Sequence, residues 1–328
     1  MMQTKTKIGV IGAGHLGKFH INHLSKHANI DFVGFFDVDQ DNAEKVATEF
    51  AVKAFENIDE LISKSDGLHI VTPTNFHYQI ALKCLQQNKD IFIEKPITST
   101  TQEANEIIQM AASKKCIVQV GHIERFNPTI NKLKHIVSAP HYIEIERLAP
   151  FQARGAEVPV VLDLMVHDID LILSMIDSTI INIHASGATM MSDTVDLAHA
   201  HIEFENGVVA NLKSSRIAQN YVRKIRTYEK NLYTITDLMI PQIEIYGLEK
   251  TSAFSDNCIE KVVDTATGSK NLFYDKLTPE KQDALLEEIN NFIDSINSRQ
   301  TPIVDGKQGL QALEIALEIE KKIIKNGS

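Results

Sequence analysis

Residues 163–170 read DLMVHDID, three carboxylic acids and an imidazole inside a run otherwise made of Leu, Met, Val and Ile. At about 100° per residue, Asp163, His167, Asp170 and Ser174 fall on one stripe of a helix, the i, i+4, i+7 face. An imidazole among carboxylates is suited to moving a proton near neutral pH, because histidine titrates there and a neighbouring acid can orient its ring. The same donors also suit zinc or manganese. Leu164, Met165, Val166, Ile169, Leu171, Ile172, Leu173 and Ile176 cover the rest of the helix. A helix apolar nearly all round belongs in an interior, so its polar stripe faces either an internal cleft or water. The helix alone does not decide between them.

A second chemistry is encoded near the start of the chain. GVIGAGHLG sets Gly12, Gly14 and Gly17 as G-x-G-x-x-G, after an apolar run and ahead of a helical pattern. Gly12 permits a tight turn, Gly14 lets the backbone approach a pyrophosphate, and Gly17 lets the helix pack on the strand. Free N–H groups at the helix start, around Ala13, His15 and Leu16, bind the anion. Asp37, in FFDVD, stands twenty residues beyond Gly17, where a carboxylate can accept hydrogen bonds from the adenosine ribose. Val38, Asp39, Gln40 and Asp41 follow, with no Arg or Lys to neutralise a 2′-phosphate, which favours NAD over NADP.

Two further strand ends point to the same crevice. In VTPTNFH, Thr72, Pro73 and Thr74 are placed to line the nicotinamide ribose, and His77 opens the next helix as a contact, a cap or packing. In IFIEKP, Glu94 and Lys95 precede Pro96, which holds Lys95 extended and stiffens a cation at the cofactor edge.

These groups need a scaffold, and the chain supplies two grammars. From residue 7 to 122, the apolar runs KIGVI, DFVGFFDV, AVKAF, GLHIVTP, DIFIEKP and CIVQVGH alternate with amphipathic helical patterns. That alternation predicts βαβ units and a doubly wound parallel sheet, a Rossmann domain over residues 1–122. Residues 123–328 predict an α+β domain with an open-faced, mainly antiparallel sheet. Its strands lie in TIINIHASGATM, DLAHAHIEFENGVVANLKSS and VRKIRTYEKNLYTITDL, with Asn206-Gly207 as a hairpin turn. Two terminal helices follow, one with Leu285, Ile289, Phe292 and Ile296 on a face, the other with Leu313, Leu317 and Ile324. They can pack back toward the first domain. An apolar sheet face is seldom left wet, so a homodimer or homotetramer through the second sheet is expected.

Bulk properties exclude whole classes. The 328 residues carry a formal charge of -10, which argues against nucleic acid or anionic membrane as partner, since both need a basic face. Three scattered cysteines make neither a disulfide framework nor a CxxC zinc site. With no signal-type stretch and no long apolar span, the expected location is the cytoplasm.

GAGHLG, Asp37, TPTNFH, EKP and the D-x-x-x-H of DLMVHDID occur in the order that characterises the glucose-fructose oxidoreductase, inositol dehydrogenase and rhizopine catabolism (Gfo/Idh/MocA) family, which the chain resembles over essentially its whole length. The resemblance implies pyridine-nucleotide oxidation or reduction of sugars and polyols, a sheet domain that mediates dimers, and a cis Lys95-Pro96 bond. It places catalysis on Lys95, Asp163 and His167. Within the family, GHIERFNP at 121–128 together with VLDLMVHDIDL is similar to bacterial members acting on the 3-hydroxyl of UDP-N-acetylglucosamine. Where many members have glycines just before the aspartate and one two residues after it, this chain has Val158-Pro159-Val160-Val161-Leu162 and Met165, a departure that bears on pocket shape.

In this reading His167 is the base, Lys95 orients the hydroxyl and stabilises negative charge, and Asp163 binds substrate or holds the imidazole, a role Asp170 can share. Asp168 points elsewhere and is structural. A cation beside the pocket disfavours a metal. A UDP-sugar needs local positive charge, for which Arg125, with Asn127, stands ahead of the strand cluster Lys213, Arg216, Arg223, Lys224 and Arg226, whose alternation also fits the wet side of a sheet. His20, His23 and His27 share a face of the first helix and are read as a solvated or packing face, not a metal site. Two other readings stay open: a dehydrogenase of a free sugar or inositol, and a non-catalytic NAD-binding redox sensor.

Overall fold

The computed structural model describes residues 5–153 and 155–327. The chain forms two compact units. The first runs to Phe126 and includes Asp283–Leu313; the second takes Asn127–Gln282 and the chain beyond Leu313.

The first unit is built on strands β1 (Thr6–Ile11), β2 (Ile30–Phe36), β3 (Ala54–Phe55), β4 (Gly67–Ile70), β5 (Asp90–Glu94) and β6 (Val118–Gly121). All pair in parallel, in the order β3-β2-β1-β4-β5-β6, the doubly wound order whose switch point lies between β1 and β4. Every residue of β4 is buried, as a strand covered on both faces requires. The crossovers are α1 (His15–Ser25), α2 (Gln40–Phe50), α3 (Ile58–Lys64), α4 (His77–Gln86) and α5 (Thr101–Lys114). Helix ends follow local chemistry: Asp39 caps α2 through the Asn42 amide, and Thr100 and Glu103 form a capping box on α5.

The second unit contains α6 (Pro128–Ile136), β7 (Tyr142–Leu148), α7 (Val166–Met175), β8 (Ile180–Ala188), β9 (Leu197–Phe204), β10 (Val209–Ser215), β11 (Val222–Glu229), β12 (Leu232–Asp237), β13 (Gln242–Gly247), β14 (Ile259–Thr265) and β15 (Gly268–Leu277). These strands form one sheet, β14-β15-β13-β12-β11-β7-β10-β9-β8. All neighbours are antiparallel except β7 and β10. In contrast to β4, strands such as β7 alternate buried and half-exposed residues. One face packs on α6 and α7; the other carries the half-exposed residues of the strands. The Asn206-Gly207 turn joins β9 to β10, with Gly207 at φ 86°.

Two helices follow. In α8 (Ala284–Ser298), Ile289, Phe292 and Ile296 are buried as the periodicity predicts, and they join the first unit's core beside Ile8, Val10 and Phe92. In α9 (Gly306–Gly327) the expected face is corrected. Leu313 is buried and Leu317 half-buried as expected, but Ile324 is 63% exposed, and the buried stripe also runs through Ala312, Ala316, Ile319 and Ile323, the i, i+4, i+7, i+11 positions that keep step with 3.6 residues per turn.

One buried contact fixes the rotation of α7. Arg147 on β7 grips Asp168 through Nε, at 2.9 and 3.1 Å from the two carboxylate oxygens, and Nη2, at 2.7 Å, with side-chain exposures of 5% and 0%. Turning Asp168 into the sheet fixes the direction of every other side chain on the helix, including its neighbour His167. Arg147→Ala would take the bidentate partner from a buried carboxylate, a loss of about 3–5 kcal/mol; urea unfolding should show the midpoint falling accordingly, and an unchanged midpoint would refute this role.

Candidate functional site

The glycine turn is enforced by crowding. Gly12 has φ 98°, and a Cβ there would lie 2.4 Å from the Val71 carbonyl oxygen; one on Gly17 would lie 2.1 Å from that of Gly12. Around Gly14 a Cβ would meet nothing within 4 Å. Helix α1 opens on Gly14 with no side-chain cap and no acid in its first turn, so its amides keep the positive end of the helix dipole for an anion. Asp37 Oδ2 accepts the Ala13 amide at 2.6 Å and Oδ1 accepts the Asp39 amide at 2.9 Å. Each oxygen retains a lone pair, so the acid is held in place with acceptor capacity left over.

The loop after β4 carries a further mark. Thr72 Oγ1 is buried without a hydrogen-bond partner, and such an atom calls for an explanation. Leu16 and Val38 are both left exposed, Val38 at 85%. Open backbone at Gly14, an uncapped helix start, an oriented carboxylate and an orphan hydroxyl together fit a dinucleotide. His77 has a different job. It is buried, with Nδ1 3.0 Å from the Pro96 carbonyl oxygen and Nε2 2.8 Å from that of Thr72, tying the TPT loop to the cis Lys95-Pro96 turn. Burial pulls its pKa below the usual histidine value, against the opposing pull of those carbonyls.

Lys95 follows β5, its amide donating to Glu94 Oε2 at 3.2 Å. The Glu94 carboxylate also receives His20 Nε2 at 3.0 Å. His23 meets Asp283 and His27 meets Asn290. The three histidines thus do pack, but His20 reaches farther than its helical face suggested.

In the second unit, Asp163 lies on a π-type turn, Val161–Met165, in which the Val166 amide reaches back five residues to Val161. Single turns of this kind are frequent at functional sites. The regular α-helix starts only at Val166, so His167, Asp170 and Ser174 keep the predicted 100° spacing and Asp163 falls outside it. Asp163, His167 and Ser174 are half-buried, whereas Asp170 is buried. Asp168 is structural, as expected. Arg216 pins the segment leading into this turn. Its guanidinium donates to the carbonyls of Gly155, Val158 and Val195 and stands 3.4 Å from Asp196. Asp196 is itself held by the Met190, Met191 and Ser192 amides. Burial would raise its pKa, but these bonds and the Ser192 hydroxyl bring it to about 2.

The cation candidates divide. Lys213, Lys224 and Arg226 pair with Glu146, Asp237 and Glu144 on the sheet. Arg125 is buried, with Nη2 3.4 Å from the Ile303 carbonyl oxygen, and Asn127 caps α6 by accepting the Thr129 amide. Arg147, Arg216 and Arg223 instead line a cleft of about 210 Å³ with Asp163, Gln152 and Tyr221. Arg147 and Arg216 were not singled out together from sequence, because their strands meet only through the β7–β10 and β7–β11 pairings. No group of three or more His, Cys, Asp or Glu side chains among the described residues is placed to hold a metal ion. No helix among them is long and apolar enough to cross a membrane.

Residues 6–122 match the oxidoreductase family with an NAD-binding Rossmann fold, Gfo/Idh/MocA, and residues 148–249 match its C-terminal domain. The chain is 34% identical to the UDP-N-acetylglucosamine 3-dehydrogenase of Acidithiobacillus ferrooxidans over 95% of this chain and 96% of that protein. A solved structure of the A. ferrooxidans enzyme superimposes with a TM-score of 0.87 at 32% identity, covering 98% of each chain. The myo-inositol 2-dehydrogenase of Thermotoga maritima is 24% identical over 97% of this chain and 96% of its own. With both domains matched in order and identity sustained over nearly its whole length, the chain belongs to the Gfo/Idh/MocA family of NAD-binding oxidoreductases.

Proposed function

We propose that the chain is an NAD-dependent dehydrogenase acting on a secondary hydroxyl of a nucleotide sugar, with the 3-hydroxyl of UDP-N-acetylglucosamine as preferred substrate. The observation that carries this reading is the cleft beside Asp163. Three arginines and an exposed tyrosine line it in a chain of net charge -10. Arg147 and Arg216 are turned to Asp168 and Asp196, so the exposed guanidinium on this cleft is that of Arg223; a free hexose or inositol has no charge to meet it, whereas a diphosphate does, and arginine matches phosphate geometry. Identity to the A. ferrooxidans enzyme supports the same substrate class.

When bound, the nicotinamide supplies the acceptor for the hydrogen and electron pair leaving the carbinol carbon. His167 takes the hydroxyl proton in the same event. Lys95 donates to that oxygen and stabilises its negative charge. Asp163 accepts from a sugar hydroxyl or from the imidazole. Gly12, Ala13, Gly14, His15, Leu16 and Gly17 cradle the pyrophosphate, Thr72, Pro73 and Thr74 line the ribose, and Glu94 sits beside it. Asp37 selects NAD, because its charge and those of Asp39 and Asp41 repel a 2′-phosphate.

The open sheet face supports a homo-oligomer. Tyr142, Tyr228, Tyr233, Tyr246 and Tyr274 form a ladder across five strands, with successive ring centroids 5.4, 4.6, 5.7 and 5.0 Å apart. Tyrosines with water on one side are favoured interface residues.

Three experiments test these readings. With NAD and a panel of UDP-sugars, free hexoses and inositols, NADH should appear fastest with UDP-N-acetylglucosamine, while His167→Ala and Lys95→Ala should each lower turnover by roughly 10²–10⁴ and leave NAD affinity nearly intact. Inositol as best substrate would reverse the substrate assignment, and wild-type turnover in both variants would remove the assigned roles. Asp37→Ala should weaken NADH binding, read by cofactor fluorescence, and narrow the gap to NADPH; a wild type preferring NADPH would contradict the cofactor choice. In sedimentation, the wild type should run as a dimer or tetramer and Tyr233→Glu as a smaller species; a monomeric wild type would eliminate the interface.

A further inference from the structure

Histidine is an unexpected residue at the centre of a buried strand, yet His69 sits between Leu68 and Ile70 on β4 with 0% exposure. Its ring stacks on Phe92 at 4.6 Å and meets Phe292 edge-on at 5.2 Å. Its Nδ1 lies 3.0 Å from Nδ1 of His20, and its Nε2 is buried without a partner among the described residues. His20 Nε2 continues to Glu94 Oε1, and Glu94 Oε2 accepts the amide of Lys95. His69, His20 and the adjacent pair Glu94 and Lys95 therefore form one chain of contacts from the interior to the Lys95-Pro96 turn.

Proton counting fixes the direction of that chain. Glu94 is ionised: burial would raise its pKa, but His20 and Lys95 bring it below the usual value. An ionised carboxylate only accepts, so His20 carries a proton on Nε2. The Nδ1–Nδ1 contact holds exactly one proton. If His20 supplied it, His69 Nε2 would have to carry an N–H stranded among phenyl rings, because burial pushes the pKa of His69 well below the ordinary value and keeps the ring neutral. Orphaned buried N–H groups are rarer than orphaned acceptors. His69 Nδ1 is the donor, and the partnerless Nε2 is a lone pair.

The carboxylate is also confined sterically. A Cβ on Gly121 would lie 2.9 Å from Glu94 Oε2 and 3.0 Å from Phe92, so any side chain there would push the carboxylate from this position. We propose that His69, His20 and Glu94 form a one-way hydrogen-bond relay that positions the Lys95-Pro96 turn, with His69 Nδ1–H donating to His20, His20 Nε2–H donating to Glu94, and Glu94 holding the Lys95 amide. His20 and His69 are positioning residues here, acting through Glu94. The functional half of this inference rests on the catalytic role of Lys95 proposed above; the structural half does not.

The test has two arms. Long-range proton–nitrogen correlations on protein labelled with ¹⁵N-histidine should show His69 as the Nδ1–H tautomer and His20 protonated at Nε2; either ring in the opposite form overturns the relay. In kinetics, His20→Gln keeps a donor where Nε2 stood, while His20→Leu keeps volume only. His20→Leu should lower kcat by ~10- to 100-fold with KM for NAD little changed, and His20→Gln should recover most of that loss. Equal losses would make His20 a space-filler and overturn its positioning role. A wild type that turns over no sugar would sink the proposed function instead, leaving the tautomers to decide the relay.

Discussion

Closest approach of backbones at Gly12 is the constraint on which the first unit depends. The Gly12 amide donates to Phe36 at the end of β2, Val71 at the end of β4 donates back to Ile11, and the Gly12 carbonyl lies against Gly17 of α1. Two strand ends and a helix start can share that space only if neither glycine carries a side chain. Once they do, strand order places the exits of β1 and β4 on opposite sides of the switch point, and the crevice follows from topology. Asp37 then locks the arrangement, since its carboxylate bonds the glycine loop on one side and the start of α2 on the other.

Much of this was legible in the sequence because its causes are local. A glycine turn, an acid at a strand end and an alternation of apolar runs with amphipathic helices each act within a few residues. Antiparallel pairing across Asn206-Gly207 was legible for the same reason. The parallel pairing of β7 with β10 was not, because it joins segments with α7, β8 and β9 between them and has no turn of its own. The start of the stripe on DLMVHDID was misplaced by assuming a uniform helical phase through the segment, whereas on α9, a regular helix, only Ile324 near its end fell off the buried side. A single π-type turn at Val161–Met165 is enough to break that phase.

Charge was the least legible property. Five cations on the second sheet looked interchangeable from sequence, since alternation says which face a residue takes but not which carboxylate stands opposite. Cross-strand register resolves them: Arg226 stands opposite Glu144 and Lys224 opposite both Glu146 and Asp237. Arg216 lies past the end of β10 and turns its guanidinium to backbone carbonyls. Paired surface cations contribute little to stability, whereas buried ones fix geometry. The His20 helix face misled in the same way, because helical spacing places His20 with His23 and His27 while the partners that distinguish it, His69 and Glu94, arrive from β4 and β5.

A common design links the three places where catalytic groups are proposed. Asp168 adjoins His167, Glu94 adjoins Lys95, and Asp196 with Arg216 anchors the chain just before Asp163. In each case a buried or largely buried carboxylate spends its lone pairs on backbone amides, a guanidinium or an imidazole, not on the reacting group. Replacing such a carboxylate network with apolar residues need not weaken the fold, because burying a charge offsets much of what its partners return. What would be lost is orientation: an aliphatic contact tolerates rotation of α7 or displacement of the Lys95-Pro96 turn, and a bidentate or two-sided hydrogen bond does not. An error of about 1 Å in a reacting group can lower rates ~100-fold. Interior charge in this chain is therefore best understood as a means of holding side chains to positions that hydrophobic packing alone leaves free.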